Sequence, residues 1–145
     1  MDSYNYAALH RDVLEPFGPT GDGCYQTAVI DPYRDVTVSP EPQQAAVGAV
    51  AIVEGLFLHR DSLTSRWDYS VFLDVPFAVT AERMATRDGT PGDPDHPRMR
   101  RYVEGQRLYF QCCRPWLRAT RVIDNSDPER TQLLTREEAD GRPSR

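Results

Sequence analysis

The sequence predicts an α/β fold built on a parallel sheet. The first indication is the run Val47–Val53, which is β-branched and shows no polar alternation, as expected of a parallel strand covered on both faces. The second is the alternation of short apolar runs with segments of helical spacing after residue 70, which favours layered strands and helices. With 145 residues, 39% of them hydrophobic, the chain can build one compact domain with its own core.

The first third of the chain is predicted to hold one helix and one strand. Residues 4–16 carry apolar side chains at helical spacing, and the turn chemistry that begins at Pro16 ends that segment. Tyr25–Ile30 is predicted to be a short strand, followed by a loop to about residue 42.

From residue 71 onward, the predicted order is one strand, two helices and a last strand. Val71–Leu73 is a predicted strand, and the segment after it carries apolar residues at helical spacing. A longer amphipathic helix is predicted from about Pro97 to Trp116, ended or kinked by Pro115. Thr120–Ile123 is the last predicted strand, and the polar tail after Thr135 is expected to be frayed or disordered.

The charge and composition of the chain argue against several classes of function. The net charge of -5 argues against a protein that wraps nucleic acid by general electrostatics. The longest apolar run, Ala45–Val53, is far shorter than the roughly 20 residues of a membrane-spanning helix, so we expect a cytoplasmic protein without membrane contact. All 17 basic residues are arginines, so these 145 residues contain no G-x-x-x-x-G-K-[ST] phosphate-binding loop.

Glu54 is the first candidate for chemistry. It follows the predicted strand Val47–Val53, and ligands of open α/β sheets bind at the carboxyl ends of the strands. A buried carboxylate needs a partner, and Mg²⁺ held by carboxylates and substrate phosphates is one candidate. The alternative is a structural acid that caps the next turn or pairs with Arg60.

An arginine-rich stretch is the second candidate. Arg83 and Arg87 are four residues apart and project from one face of a helix, and further arginines follow the loop of residues 88–95, among them Arg101. A mobile loop flanked by guanidinium groups suits a lid over phosphoryl groups, because planar guanidinium forks pair with phosphate oxygens. The alternative is a solvated helical face whose charge neighbouring acids balance.

Asp31 is a weaker candidate. It lies between a predicted strand and a loop, where its carboxylate could bind sugar hydroxyls or could start the turn at Pro32. The three histidines are scattered singly, and their spacing suggests neither a metal site nor a nucleophilic triad.

Several short motifs occur in the order found in one enzyme family. The sequence resembles actinobacterial uridine-kinase-like proteins, of the phosphoribulokinase and uridine kinase branch of P-loop NTPases. The resemblance runs from residue 2 to about residue 128. It rests on residues 2–6, 14–19, 51–58, 71–76, 83–88, 101–102 and 123–127.

The resemblance implies a three-layer P-loop NTPase-like fold and the phosphorylation of a nucleoside hydroxyl by ATP with Mg²⁺. It implies that Glu54 lies near the magnesium and Asp31 near the nucleoside, and that Asp124 and Asn125 edge the nucleotide-base pocket. It also assigns Arg83, Arg87 and Arg101 to a lid of about residues 83–107. Uridine kinases commonly have an aromatic residue where Ile30 stands.

The same resemblance implies a nucleoside-kinase-like domain of residues 1–128, truncated at its N-terminus, and a polar tail of residues 129–145. The strand, P-loop, helix and second strand with which relatives begin would precede Met1. We therefore expect an inactive fragment that needs a complementing polypeptide, or a non-catalytic protein that binds a nucleoside or sugar phosphate. The uncharged run Val47–Val53 predicts self-association if it is left unpaired.

Overall fold

The computed structural model describes residues 5–28, 30–31, 34 and 36–142. It divides into two compact units, Met1–Glu54 and Gly55–Arg145. The predicted kinase-like domain, residues 1–128, therefore includes parts of both units. None of the helices in the described ranges is long and apolar enough to cross a membrane.

The first unit consists of one helical segment and two very small antiparallel ladders. Helix α1 continues as a π-helical turn, so the helix predicted over residues 4–16 is confirmed in its described part. The predicted strand Tyr25–Ile30 is wrong, because the chain there forms two separate two-residue strands that pair with different partners. The elements are α1 (Tyr6–Leu9), the π-turn (His10–Leu14), β1 (Cys24–Tyr25), β2 (Ile30–Asp31), β3 (Val36–Thr37) and β4 (Gln43–Gln44).

The central strand predicted at Val47–Val53 is absent from the described structure, and that prediction is wrong. The side chains of Val47, Val50 and Ile52 are 107%, 84% and 91% exposed. Gly48 adopts a φ of 79°, and the Ala49 amide donates to the Ala46 carbonyl at 3.0 Å. The resulting turn interrupts the extended conformation that a long ladder requires.

The second unit is a mixed α/β arrangement around one sheet. The strand order is β5-β6-β7, in which β5 and β6 are parallel and β7 is antiparallel to β6. The predicted parallel pairing is thus confirmed for β5 and β6. Strand β7 was not predicted, and it makes the sheet mixed because the short connection over residues 125–131 permits only an antiparallel return. The elements are α2 (Asp61–Thr64), β5 (Val71–Asp74), α3 (Phe77–Asp88), α4 (Arg100–Cys113), α5 (Pro115–Arg118), β6 (Arg121–Asp124), β7 (Gln132–Leu134) and α6 (Arg136–Asp140).

The core of this unit has two neighbouring clusters. One face of the sheet packs on α5 and α6 through Trp116, Ala119, Val122 and Ala139. Helices α3 and α4 meet at a second cluster of Phe77, Ala81, Met99 and Val103. Phe110 contacts both clusters, and it packs against Phe72, Phe77 and Trp116 with ring centroids 5.8–5.9 Å apart.

The two long predicted helices are confirmed, and their ends have clear causes. Helix α3 ends where Gly89 adopts the left-handed conformation with a φ of 67°. Helix α4 ends at Cys113, and Pro115 then becomes the first residue of α5. Arg114, between them, has a φ of 42°, so a non-glycine residue occupies the left-handed region.

The expected frayed tail after Thr135 is also wrong over its described residues. The Thr135 side chain accepts from the Glu138 amide at 3.2 Å, and Glu138 accepts from the Thr135 amide at 2.8 Å, which together form a capping box for α6. Ala139 is fully buried in the core cluster. Helix α6 forms because it buries apolar surface and satisfies its own N-terminus.

Candidate functional site

The carboxyl ends of the two parallel strands bring Asp74 and Asp124 side by side in register. Asp74 is buried, with 2% of its surface exposed. The guanidinium of Arg142 lies against both: its Nη2 is 2.8 Å from Asp124 Oδ2, and its Nε is 3.6 Å from Asp74 Oδ2. A residue from the predicted tail therefore closes the strand edge where α/β sheets commonly bind ligands.

Asp124 is held in its ionised form. The Ser126 hydroxyl donates to its Oδ1 at 2.6 Å and the Ser126 amide donates to the same atom at 2.9 Å. These hydrogen bonds, led by that from the hydroxyl and assisted by Arg142, lower the pKa of Asp124 to about 2. With so low a pKa, the carboxylate is suited to fixing neighbouring donors and poorly suited to accepting a proton near neutral pH.

The Arg83 side chain binds the backbone of the segment that contains Asn125. The Asn125 amide donates to the Asp74 carbonyl at 3.1 Å, which extends the β5–β6 ladder by one step. Nη2 of Arg83 donates to the carbonyl oxygens of Asn125 and Ser126 at 2.8 and 2.9 Å. Arg83 thus fastens α3 to the segment after β6, and this contact engages part of the guanidinium that the lid hypothesis assigns to phosphate.

The other two predicted lid arginines have different surroundings. Arg87 is exposed and makes two hydrogen bonds to Asp88, at 2.8 and 2.7 Å, which raise the pKa of its guanidinium. Arg101 is exposed, and its guanidinium lies 5.7 Å from the centroid of the Tyr102 ring. The loop between α3 and α4 is anchored at Met99, which is 2% exposed in the α3–α4 cluster.

Asp31 and Glu54 are the two predicted site residues of the first unit. Asp31 lies in a strand and Glu54 does not. Asp31 ends β2, is half-buried, and accepts from the Arg34 amide at 3.2 Å, the geometry of a turn-initiating aspartate. Glu54 is exposed in an irregular segment, so its expected position at a strand end is wrong. Within the described ranges, no group of three or more acidic, histidine or cysteine side chains could hold a metal ion.

Sequence reasoning did not single out Arg142 or Asp74 as site residues. Asp74 had a visible signal, because it directly follows the apolar strand Val71–Leu73 at a carboxyl end. Arg142 had none, because it lies in a polar stretch and contacts Asp124 and Asp74 only after the chain has turned back through β7 and α6.

Comparison with known proteins identifies no family for this chain. No family model, curated protein or solved structure matches it. The resemblance to uridine-kinase-like proteins therefore stays an expectation from the motifs, and function must be argued from the strand ends of the second unit.

Proposed function

We propose that this chain supplies the nucleotide-handling region of a uridine-kinase-like phosphotransferase, and that it does not transfer phosphoryl groups by itself. The observation that carries the proposal is the parallel pair β5 and β6, whose carboxyl ends gather Asp74, Asp124 and Asn125. Helices α3, α4 and α5 make up the crossover between these strands, as in the parallel βαβ units of nucleotide-binding folds. A P-loop NTPase-like arrangement of the whole catalytic domain is part of the proposal.

The absence of transfer activity follows from chemistry. Phosphoryl transfer relies on positioning and charge stabilisation by P-loop amides, a lysine and Mg²⁺, with a carboxylate that orients the attacking hydroxyl. The 145 residues contain no lysine. Glu54, exposed and outside any metal-binding group of the described residues, does not fit a magnesium site. ATP and Mg²⁺ would therefore require groups from another polypeptide segment.

One observation favours the second candidate, a non-catalytic protein that binds a nucleoside or a phosphate compound. Arg142 ion-pairs with Asp124 and approaches Asp74, so the tail covers the strand edge at which a phosphotransferase would bind its nucleotide. A binding protein needs no open edge for two substrates and a metal ion. The two candidates differ in whether activity appears once a P-loop segment is supplied.

A complementation assay tests the proposal. The purified chain should show no ATP-dependent phosphorylation of uridine or cytidine, and should bind MgATP no more tightly than about 1 mM. Adding the P-loop segment of an actinobacterial uridine-kinase-like protein should raise the melting temperature and produce nucleoside phosphorylation. Micromolar MgATP binding by the chain alone would contradict the proposal, and a segment without effect would favour the binding protein.

Substituting a predicted lid arginine adds a residue-level test to the same assay. In the complemented protein, Arg87→Gln should weaken nucleotide binding, because it removes an exposed guanidinium that pairs with the neighbouring Asp88 and can still reach a phosphate. Arg121→Gln is the matched control, since Arg121 is exposed on a strand and its Nη1 donates to the Thr120 carbonyl. Equal effects of the two changes would mean that general charge, and not a lid, attracts the nucleotide.

A further inference from the structure

A wide, open cavity of about 540 Å³ lies at the surface of the second unit, between α4, α5 and Arg142. Its volume falls in the range of roughly 300–1,000 Å³ typical of small-molecule sites. Three of its lining residues are arginines and two are aromatic. It is lined by Arg107, Phe110, Gln111, Arg114, Trp116 and Arg142.

The three guanidinium groups are held from outside the cavity and keep further donors. Nη2 of Arg114 lies 2.6 Å from Asp140 Oδ1, and Nη2 of Arg142 lies 2.8 Å from Asp124 Oδ2. Arg107 approaches Asp95 only to 3.8 Å and stacks over the Phe77 ring at 5.5 Å. Because a guanidinium carries five N–H donors, these contacts orient the forks without exhausting them.

Arg114 adds a second and independent observation. Its backbone has φ 42° and ψ 63°, a left-handed conformation that glycine adopts without steric cost and arginine does not. Backbone strain of this kind clusters at ligand-binding sites, where the position of one side chain matters more than local relaxation. Here the residue that directly follows α4 is one that lines the cavity.

Phe110 and Trp116 supply the apolar part of the wall, and Gln111 adds a neutral polar side chain. Phe110 is half-buried and packs edge-on against Trp116, which is 7% exposed. The indole N–H of Trp116 donates to Asp140 Oδ1 at 2.7 Å, the same oxygen that Arg114 contacts. The cavity therefore combines several guanidinium forks with an aromatic wall.

We propose that this cavity binds a phosphate monoester that carries a planar ring. A phosphate presents three oxygens and up to two charges to the guanidinium forks, which a single carboxylate cannot do. The ring then lies against Phe110 and removes apolar surface from water. The inference rests on the cavity alone and not on the proposed kinase function.

Phenyl phosphate is the simplest probe of this class, and the protein's two tryptophans supply a reporter and an internal control. A ligand that engages Arg114 must perturb the Asp140 oxygen shared with the Trp116 indole, and so shift the NMR signal of that N–H. Trp67 donates its indole N–H to the Leu58 carbonyl at 2.8 Å and should not respond. The titration should be run at a constant ionic strength of about 0.1 M, adjusted with sodium chloride, so that charge screening does not change as the phosphate is added.

We expect a saturating shift of the Trp116 signal below about 10 mM phenyl phosphate, and weaker binding of inorganic phosphate and of phenol. Arg107→Gln should weaken the binding of phenyl phosphate about tenfold, the typical effect of losing a charge-assisted hydrogen bond. An unchanged Trp67 signal would show that the variant is folded. Arg121→Gln, which removes an equal charge outside the cavity, should leave the affinity unchanged.

Three results would overturn the proposal. The first is the absence of a saturating Trp116 shift in the wild-type chain. The second is equal affinity for inorganic phosphate and phenyl phosphate, which would mean that the ring contributes nothing. The third is an equal loss of affinity in Arg107→Gln and Arg121→Gln, which would reveal diffuse attraction of anions by surface charge.

Discussion

Apolar runs form a strand in the second unit of this protein but stay irregular and exposed in the first. Val71–Asp74 forms β5 because its neighbour β6 pairs with it in register and α5 covers the inner face through Trp116. The longer and more apolar run Val47–Val53 forms no strand and exposes most of its side chains. The difference teaches that an apolar run becomes a strand where a neighbouring strand pairs with it and a covering layer buries one of its faces.

The two units also differ in how many of their described apolar residues are buried. Of the buried apolar residues described, only Ala8 belongs to the first unit, whereas the second unit holds both core clusters. In the first unit, β1 to β4 have two residues each and are mostly exposed. Ladders so short are marginal by themselves, so we expect the second unit to carry most of the stability.

The largest expected effect therefore comes from removing an aromatic side chain from the second core. Trp116→Ala should lower the free energy of unfolding by about 3–5 kcal/mol, because it leaves a cavity beside Phe72, Phe110 and Val122. Phe17→Ala is the matched change in the first unit. Phe17 is only half-buried and packs against Tyr25 at 5.4 Å, so about 1 kcal/mol is expected.

Urea unfolding, followed by circular dichroism to include both units, measures these changes. If Phe17→Ala cost as much as Trp116→Ala, the first unit would have a core of its own, and the contrast between the units would fail. A change near zero in the free energy of unfolding for Phe17→Ala, with an unchanged slope against urea concentration, would strengthen the contrast between the units.

Local pattern was enough to predict the helices. The spacing of Phe77, Ala81 and Met84 identified α3, and the stripe that includes Met99 and Val103 identified α4, because both signals lie within a few turns of one segment. Strand β5 was also predictable, since a short apolar run between Asp68 and Pro76 leaves few alternatives. Of the residues at the candidate site, these elements hold Asp74 and Arg83.

What the sequence could not reveal depends on contacts between distant segments. The tail was expected to fray because its composition is polar, yet one buried residue, Ala139, and one capping box order it. The ion pairs of Arg142 join the end of the chain to two strands, so no spacing rule points to them. The exposure of Glu54 likewise follows from the missing strand before it.

A middle-sized effect is expected at the strand edge that distinguishes the second unit. The folded-state pKa of Asp124 is about 2, below its ordinary value of 3.8. A lowered carboxyl pKa stabilises the fold above about pH 4, and this contribution is lost as the pH falls towards 2. Because the side chain is 24% exposed, water screens it, and we expect about 1 kcal/mol.

Asp124→Asn should therefore destabilise the protein at pH 6, and the difference from wild type should disappear as the pH is lowered to about 2. Urea titrations across this range measure it. Asp127→Asn is the control, because Asp127 is exposed and accepts a local hydrogen bond from the Glu129 amide at 3.0 Å. A difference between wild type and Asp124→Asn that stayed constant with pH would mean that lost packing, and not the ionised carboxylate, causes it.

The smallest effect on stability is expected in the exposed run of the first unit. Val50 is 84% exposed and Val122 is 2% exposed, so the same replacement by serine tests the two environments directly. Val50→Ser should change the free energy of unfolding by no more than about 0.5 kcal/mol. Val122→Ser should cost about 2–4 kcal/mol, because it removes a buried branched side chain and buries a hydroxyl.

Val50→Ser should have its visible consequence in self-association instead. An uncharged, proline-free run of exposed apolar side chains favours pairing between copies, and a serine at its centre weakens that pairing. Light scattering at rising concentration should therefore show less association in Val50→Ser than in wild type. If Val50→Ser instead destabilised the chain as strongly as Val122→Ser, Val47–Val53 would be buried in solution. The parallel strand predicted from its sequence would then exist, and the contrast between the two units would be lost.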